Sequence, residues 1–179
     1  MKGKQKKVLL IGYRATGKTA VGKELARVLG CPFLDLDKII EKEAGKTISK
    51  IVDDEGWDGF RKREEKALKE AFEMKKKFVL ACGGGAVLHK ELMELFSQKA
   101  LVVWLKAPVE IMMQRLLSDS KSKTMRPSLT GQELEEEIKK VYEERKPLYE
   151  KYSHISIDTF EKSPFQIAQE INEALAYAW

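Results

Sequence analysis

Short apolar runs alternate with longer segments of helical periodicity along this chain. The runs that predict strands are Val8–Ile11, Pro32–Leu36, Phe78–Ala81, Ala100–Leu105 and His154–Ile157. Five such runs separated by helical segments are typical of a parallel sheet that is covered on both faces by helices. The pattern therefore predicts a single α/β domain, residues 1–179, built on a five-stranded parallel sheet, with no internal repeat and no domain linker.

The segment Gly12–Thr19 follows the first predicted strand and fits the phosphate-loop pattern G-x-x-x-x-G-K-[ST] at every fixed position. Backbone N–H groups of such a loop form a nest for phosphate oxygens, and the next helix points its positive end at the same place. Lys18 is expected to reach the β- and γ-phosphates, and the Thr19 hydroxyl to ligate Mg²⁺. The residues predicted to bind the nucleotide here are Gly12, Ala15, Thr16, Gly17, Lys18, Thr19 and Ala20. The alternative is a glycine-rich turn without a ligand.

Two carboxylates, Asp35 and Asp37, end the second predicted strand. Strand alternation predicts that they lie on one side of it, at the sheet edge where ligands bind in open parallel sheets. Their oxygens could ligate a hard metal cation or anchor an acceptor substrate through its hydroxyl groups. The alternative is that Asp37 caps a helix and Asp35 is solvated.

Residues 38–75 form a long helical region with a break near Gly56, too large for a simple crossover, and we interpret it as an inserted substrate-binding segment. Within it, the planar guanidinium of Arg61 could bind a carboxylate, supported by Glu64 and Glu65 on the same helix face. The alternative is an ordinary solvated cation. The run Gly83–Gly85 ends the third strand and favours close approach of backbone to a ligand, although a flexible turn is also compatible.

In the helix after Gln132, the stripe Leu134, Ile138 and Val141 continues onto Arg145. An inward guanidinium needs an anion, which could be a bound carboxylate or an internal acidic residue. Pro147 is expected to bend or end this helix. Residues 118–131 are polar, small and basic, and predict a lid whose Lys121, Lys123 and Arg126 reach phosphates; the alternative is a disordered surface loop.

Composition narrows the function further. The chain has 179 residues, 43% hydrophobic and 34% charged, with a net charge of +5, which excludes a disordered chain and suits anionic small molecules. Lys and Glu alternate rather than forming a basic block, so nucleic-acid binding is not favoured, and no run is long enough to span a lipid bilayer. Two cysteines without metal-ligand spacing agree with a cytoplasmic protein.

Taken together, these motifs resemble those of the shikimate kinase family over nearly the whole chain. The resemblance rests on the phosphate loop, Asp35-Leu36-Asp37, Phe60-Arg61 with Glu64, Gly83-Gly84-Gly85, Arg126-Pro127 and Arg145-Lys146-Pro147-Leu148-Tyr149. It implies a P-loop NTPase of the nucleoside-monophosphate-kinase-like, three-layer α/β/α fold, with strands ordered 2-3-1-4-5. The implied reaction is transfer of the γ-phosphoryl group of MgATP to the 3-hydroxyl of shikimate, by a monomer.

The resemblance also implies roles for individual residues. Asp37 would bind the shikimate hydroxyls and orient or deprotonate the nucleophile, and Arg61 and Arg145 would grip the carboxylate. Backbone at Gly83, Gly84 and Gly85 would meet the substrate ring. Asp35 would help Thr19 to hold Mg²⁺, largely through water, and Arg126 would reach the transferred phosphate.

The chain departs from the family pattern at two positions. Trp57 stands where Glu usually follows Gly56, and Ser128 stands where Leu usually follows Arg-Pro in the lid. Two alternatives to a shikimate kinase stay open: another small-molecule kinase on the same fold, such as a gluconate kinase, and a catalytically silent module that acts as a ligand sensor or partner.

Overall fold

The computed structural model describes residues 7–118, 128 and 133–177, and strands and helices alternate along them. The strands are β1 Lys7–Ile11, β2 Phe33–Asp35, β3 Phe78–Ala81, β4 Ala100–Lys106 and β5 Ile155–Asp158. The helices are α1 Lys18–Leu29, α2 Leu36–Ala44, α3 Ile48–Glu73, α4 Lys90–Lys99, α5 Val109–Ser118, α6 Leu134–Tyr152 and α7 Pro164–Tyr177. A short 3₁₀ helix, Ala86–Leu88, lies between β3 and α4.

The five strands form one sheet in the order β2-β3-β1-β4-β5. Every neighbouring pair is parallel, with Leu9 opposite Leu80 on one side and Val102 on the other. The predicted parallel sheet and its strand order are therefore confirmed. Because all strands run the same way, their carboxyl ends meet at one edge of the sheet.

Each face of the sheet carries its own apolar layer. Val8 and Leu10 of β1 point to the side packed by α1 and α7. Leu9 and Ile11 point to the opposite side, which is covered by α3, α4 and the carboxyl half of α6. This alternation is the period of two expected of strands. It leaves residues 8–11 of the central strand fully buried, so the sheet is the middle layer of three.

A third apolar cluster lies beyond the carboxyl edge of the sheet. It joins Tyr13 of the loop after β1 to Met112 of α5 and to Ile138 and Val141 of α6. The stripe predicted for α6 is therefore buried, and it packs this helix over the phosphate loop.

Two local predictions are wrong. The chain leaves β2 at Asp35, whose carboxylate caps α2 by accepting from the Lys38 N–H at 3.3 Å, so Asp37 lies in the first helical turn rather than on the strand. Helix α6 continues through Pro147 to Tyr152, so this proline does not end it, whereas a bend at Pro147 stays a prediction. Burial of Arg145, Tyr149 and Tyr152 on either side of that proline holds the helix together.

The predicted long helical region is α2 and α3. Gly45 ends α2 in the left-handed conformation, and α3 is interrupted at Gly56, where φ is 69° and ψ is 176°. The predicted break near Gly56 is confirmed. Among the described residues, no helix is both long enough and apolar enough to cross a membrane.

Candidate active site

The phosphate-loop motif forms the turn between β1 and α1. Gly12 and Gly17 have φ of 140° and 90°, and Ala15 adopts the left-handed region with φ of 61°. Lys18 folds over the loop and donates to the carbonyls of Gly12 at 2.8 Å and Tyr13 at 2.6 Å. The loop therefore holds its lysine at the amino end of α1, where backbone N–H groups and the helix dipole favour an anion.

Thr19 and Asp35 meet at the edge of this loop. The Thr19 hydroxyl donates to Asp35 Oδ2 at 3.1 Å, and both side chains are at the surface. An oxygen pair of this kind fits Mg²⁺, which takes few protein ligands and keeps waters and phosphate oxygens for the rest. No group of three or more His, Cys, Asp or Glu side chains clusters as a metal site within residues 7–118, 128 and 133–177.

A cavity of about 450 Å³ opens beside the phosphate loop. Loop residues, the first turn of α2, helix α3, the glycine run and α6 all contribute to its wall. The lining residues are Tyr13, Arg14, Asp37, Ile48, Trp57, Phe60, Arg61, Glu64, Gly83, Gly84, Gly85 and Arg145. The structure thus brings Asp37, Arg61, the three glycines and Arg145 to one space, whereas Asp35 turns away from it towards Thr19.

Arg61 projects into this cavity from the second half of α3. It forms an ion pair with Glu64, whose side chain is 1% exposed, and its guanidinium lies over the rings of Trp57 and Phe60 at 5.7 and 5.2 Å. Glu65 instead pairs with Lys69 at 2.7 Å, so only one of the two predicted carboxylates supports the arginine. Paired and stacked on aromatic rings, Arg61 is held as a cation facing the cavity.

Arg145 reaches the cavity from α6 and is 9% exposed. One turn further on, the Tyr149 hydroxyl donates to the Gly84 carbonyl at 2.6 Å. Burial raises the pKa of the Tyr149 phenol, with the Arg145 guanidinium opposing it, so the hydroxyl stays protonated and keeps donating. Helix α6 is therefore joined to the glycine run beside its arginine.

The sequence does not predict two contacts of the loop. Arg14 forms an ion pair with Glu137 of α6, which is 1% exposed. Arg115 of α5 donates to the Ala15 carbonyl at 3.0 Å, and also to the Thr159 carbonyl at 3.2 Å. Arg14 and Ala15 stand at variable positions of the loop motif, and no motif marks their distant partners. The two contacts brace the phosphate loop against α5 and α6.

Arg126, Lys121 and Lys123 of the predicted lid lie outside the described residues. Ser128, the lid position that departs from the family pattern, is described and donates a hydrogen bond to Glu137. The carboxylate of Glu137 therefore accepts hydrogen bonds from both Arg14 and Ser128.

Comparison with known proteins gives a consistent result. The family model for shikimate kinase matches residues 14–176. A shikimate kinase of Syntrophus aciditrophicus is 40% identical over 172 residues, which is 92% of this chain and 88% of that protein. Shikimate kinase 2 of Yersinia enterocolitica is 37% identical over 169 residues, covering 94% of this chain and 95% of that protein.

Solved structures agree. The shikimate kinase from Acinetobacter baumannii in complex with shikimate is 36% identical with a TM-score of 0.89, covering 97% of this chain and 94% of that one. The Aquifex aeolicus shikimate kinase is 32% identical with a TM-score of 0.78, covering 95% and 96%. A gluconokinase from Sinorhizobium meliloti, 16% identical with a TM-score of 0.54 over 97% of both chains, shares the fold alone. The predicted nucleoside-monophosphate-kinase-like P-loop fold is confirmed.

Proposed function

This chain belongs to the shikimate kinase family and is an ATP-dependent kinase, and we propose that it transfers the γ-phosphoryl group of MgATP to the 3-hydroxyl of shikimate. The products are shikimate 3-phosphate and ADP. One observation carries the proposal: Asp37, Arg61, Arg145 and the glycine run line one cavity directly beside the phosphate loop. That cavity has the chemistry to bind a small hydroxylated acid with its hydroxyl towards a nucleotide.

The acid is held by charge from two directions. Arg61 approaches from α3 and Arg145 from α6, so the two guanidinium groups can share one carboxylate by charge-assisted hydrogen bonds. The Gly83–Gly85 backbone lies against the ring. A Cβ atom at Gly83 would crowd Glu64 and one at Gly85 would overlap the Arg61 guanidinium, so side chains there would disturb the residues around the cavity. Two cations on separate helices fix both the position and the orientation of the substrate.

Asp37 acts on the reacting hydroxyl. Its carboxylate accepts a hydrogen bond from that hydroxyl, turns an oxygen lone pair towards the γ-phosphorus and can take the proton as the oxygen–phosphorus bond forms and the bond to the β-phosphate oxygen breaks. Phosphoryl transfer needs little more covalent help than this, since alignment and charge supply most of the rate.

Positive charge comes from Lys18 and from Arg126 of the lid. Lys18 leaves the loop carbonyls that it contacts and reaches the β- and γ-phosphates, while Arg126 covers the transferred group and helps to exclude water. Thr19 and Asp35 would hold Mg²⁺, directly and through water. When bound, Mg²⁺ supplies further charge against the phosphate oxygens.

Residues 38–75 act as the substrate-binding segment and residues 118–131 as the lid of one domain. The proposed partners are ATP and shikimate, and we expect binding to neither nucleic acid nor membranes. We also predict that the protein is a monomer in the cytoplasm. Size-exclusion chromatography with light scattering checks the oligomeric state.

A coupled assay of ADP release tests the function. We expect ATP turnover only when shikimate is added, and a mass increase of one phosphoryl group in the acid. Gluconate is the control acceptor, since a gluconate kinase would prefer it. ATP turnover that does not respond to shikimate would overturn the proposal, and no turnover with any acid would favour the silent module.

A further inference from the structure

One buried carboxylate, that of Glu64, receives two donors from different parts of the chain. Its Oε2 atom accepts from Arg61 and lies 3.0 Å from Nε2 of His89, the first residue after the 3₁₀ helix. The side chain of Glu64 is 1% exposed and that of His89 12%. Because a carboxylate only accepts, the hydrogen bond places the histidine proton on Nε2.

The other oxygen of Glu64 faces the glycine run. A Cβ atom added to Gly83 would lie 2.7 Å from Oε1, so the carboxylate fills the space that this glycine leaves. Glu64 therefore sits between Arg61, His89 and the backbone that borders the cavity. With Arg61 as its only donor, this carboxylate could rotate about its side chain, whereas a second donor on the same oxygen restricts it.

His89 is itself held by backbone on both sides. The backbone N–H of His89 donates to the Ala86 carbonyl at 3.1 Å. Its backbone carbonyl accepts from the Met93 N–H at 3.0 Å in the first turn of α4. The backbone from which the imidazole projects is thus fixed by two neighbouring helical segments. The imidazole hydrogen-bonds to Glu64, which is one of the residues that line the cavity.

We propose that His89 is a positioning residue for the acid substrate: its Nε2–H holds the Glu64 carboxylate, which holds the Arg61 guanidinium towards the cavity. This inference rests on the proposed function, in which Arg61 binds the carboxylate of shikimate. It assigns to His89 an effect on the binding of the acid and none on the binding of ATP.

The test compares His89→Gln with His89→Asn in the full chain. Glutamine places an amide N–H near the position of Nε2, whereas asparagine is one methylene shorter and does not reach Glu64, although both are polar at a helix start. We expect the asparagine variant to raise the KM for shikimate about five- to tenfold, the scale of the net contribution of one typical hydrogen bond. The KM for ATP and kcat should change less than about twofold.

The glutamine variant should restore most of the wild-type KM for shikimate. Lys90→Gln changes the exposed neighbouring residue and is the matched control, which should behave as wild type. A purely structural role for His89 would lower stability in both variants and would not separate the two Michaelis constants. Equal KM values for shikimate in the wild type and the asparagine variant would overturn the proposal.

A second measurement does not depend on turnover. Arg61 lies over the ring of Trp57, so a displaced guanidinium changes the emission of that indole, which is isolated by subtracting the spectrum of a Trp57→Phe background. We expect the emission of Trp57 to change in His89→Asn without substrate and to stay as in the wild type in His89→Gln. Unchanged emission in both would overturn the link from His89 to Arg61. Failure of the proposed function would instead appear as a wild-type protein that does not phosphorylate shikimate.

Discussion

The hydroxyl of Tyr149 donates a 2.6 Å hydrogen bond to the carbonyl of Gly84 and so joins α6 to the glycine run that borders the cavity. Tyr149→Phe removes the hydroxyl and leaves a carbonyl without that donor. We expect the free energy of unfolding to fall by about 1–2 kcal/mol and the KM for shikimate to rise several-fold, because both the glycine backbone and Arg145 lose a support. Urea unfolding and steady-state kinetics measure the two effects. Tyr142→Phe, on the same helix, is the control, and an equal loss in it would argue against the specific bond.

The two cavity arginines should weaken acid binding when either is removed. We expect Arg61→Ala and Arg145→Ala each to cost about 2–5 kcal/mol in shikimate affinity, the usual cost of removing one partner of a desolvated charged contact. Titration calorimetry with shikimate measures it. Arg63→Ala is the matched control, since Arg63 lies on the same helix but pairs with the exposed Glu55 at 2.8 Å. Unchanged affinity in both cavity variants would contradict the clamp.

The space beside Gly85 is taken by Arg61. Gly85 has φ of −97°, which alanine adopts without strain, but an added Cβ would overlap the Arg61 guanidinium. Because that guanidinium is the end of a flexible side chain, Gly85→Ala should displace it rather than unfold the protein. We expect a KM for shikimate raised about tenfold or more, with a free energy of unfolding changed by less than about 1 kcal/mol.

A double-mutant cycle checks the cause of this effect. In an Arg61→Ala background, Gly85→Ala should raise the KM for shikimate little further, because the group that it displaces is already gone. Additive effects would show that the alanine acts on the substrate ring instead.

Lys18 should be needed for turnover but not for folding. We expect Lys18→Met to lower kcat at least about a hundredfold, the scale of losing one electrostatic contact to the transferring group. Circular dichroism should show an unchanged fold. Lys23→Met, an exposed lysine on the same helix, should keep the wild-type rate. Wild-type turnover in the Lys18 variant would rule out its assigned role.

The pair Thr19 and Asp35 should determine the magnesium requirement. Asp35 also caps α2, and asparagine caps a helix as well as aspartate, so Asp35→Asn tests the charge with little change in stability. We expect the Mg²⁺ concentration for half-maximal activity to rise about tenfold. Asp53→Asn, an exposed position in α3, is the control. An unchanged Mg²⁺ requirement would remove Asp35 from the metal site.

The regular parts of this fold could be predicted from sequence because they depend on local pattern. Short apolar runs between helical segments predict the five strands, and the α6 stripe points to an inward Arg145. The boundary at Asp35 was missed because a capping hydrogen bond to Lys38 competes with extension of the strand, and the pattern does not show which is stronger. Pro147 was misjudged because burial of its neighbours outweighs the local penalty.

Within the candidate site, sequence motifs predicted the residues that line the cavity better than those that support them. The phosphate loop and the glycine run have recognisable spacing. The pair Arg14 and Glu137 is separated by 123 residues and the pair Glu64 and His89 by 25, and neither has a periodic signal. Such partners are determined by how helices pack over the sheet edge, so they become visible only in three dimensions.

Gly56 divides α3 with a backbone conformation, φ of 69° and ψ of 176°, that is essentially confined to glycine. Ile48 and Ile51 before it are buried in the core, and Arg61 follows it into the cavity. Any side chain at this position would favour one straight helix and would swing the arginine away from its partners. Under the proposed function, recognition of the acid would depend on a residue that is not part of the cavity lining, and a change in substrate preference during evolution would be able to begin at this hinge.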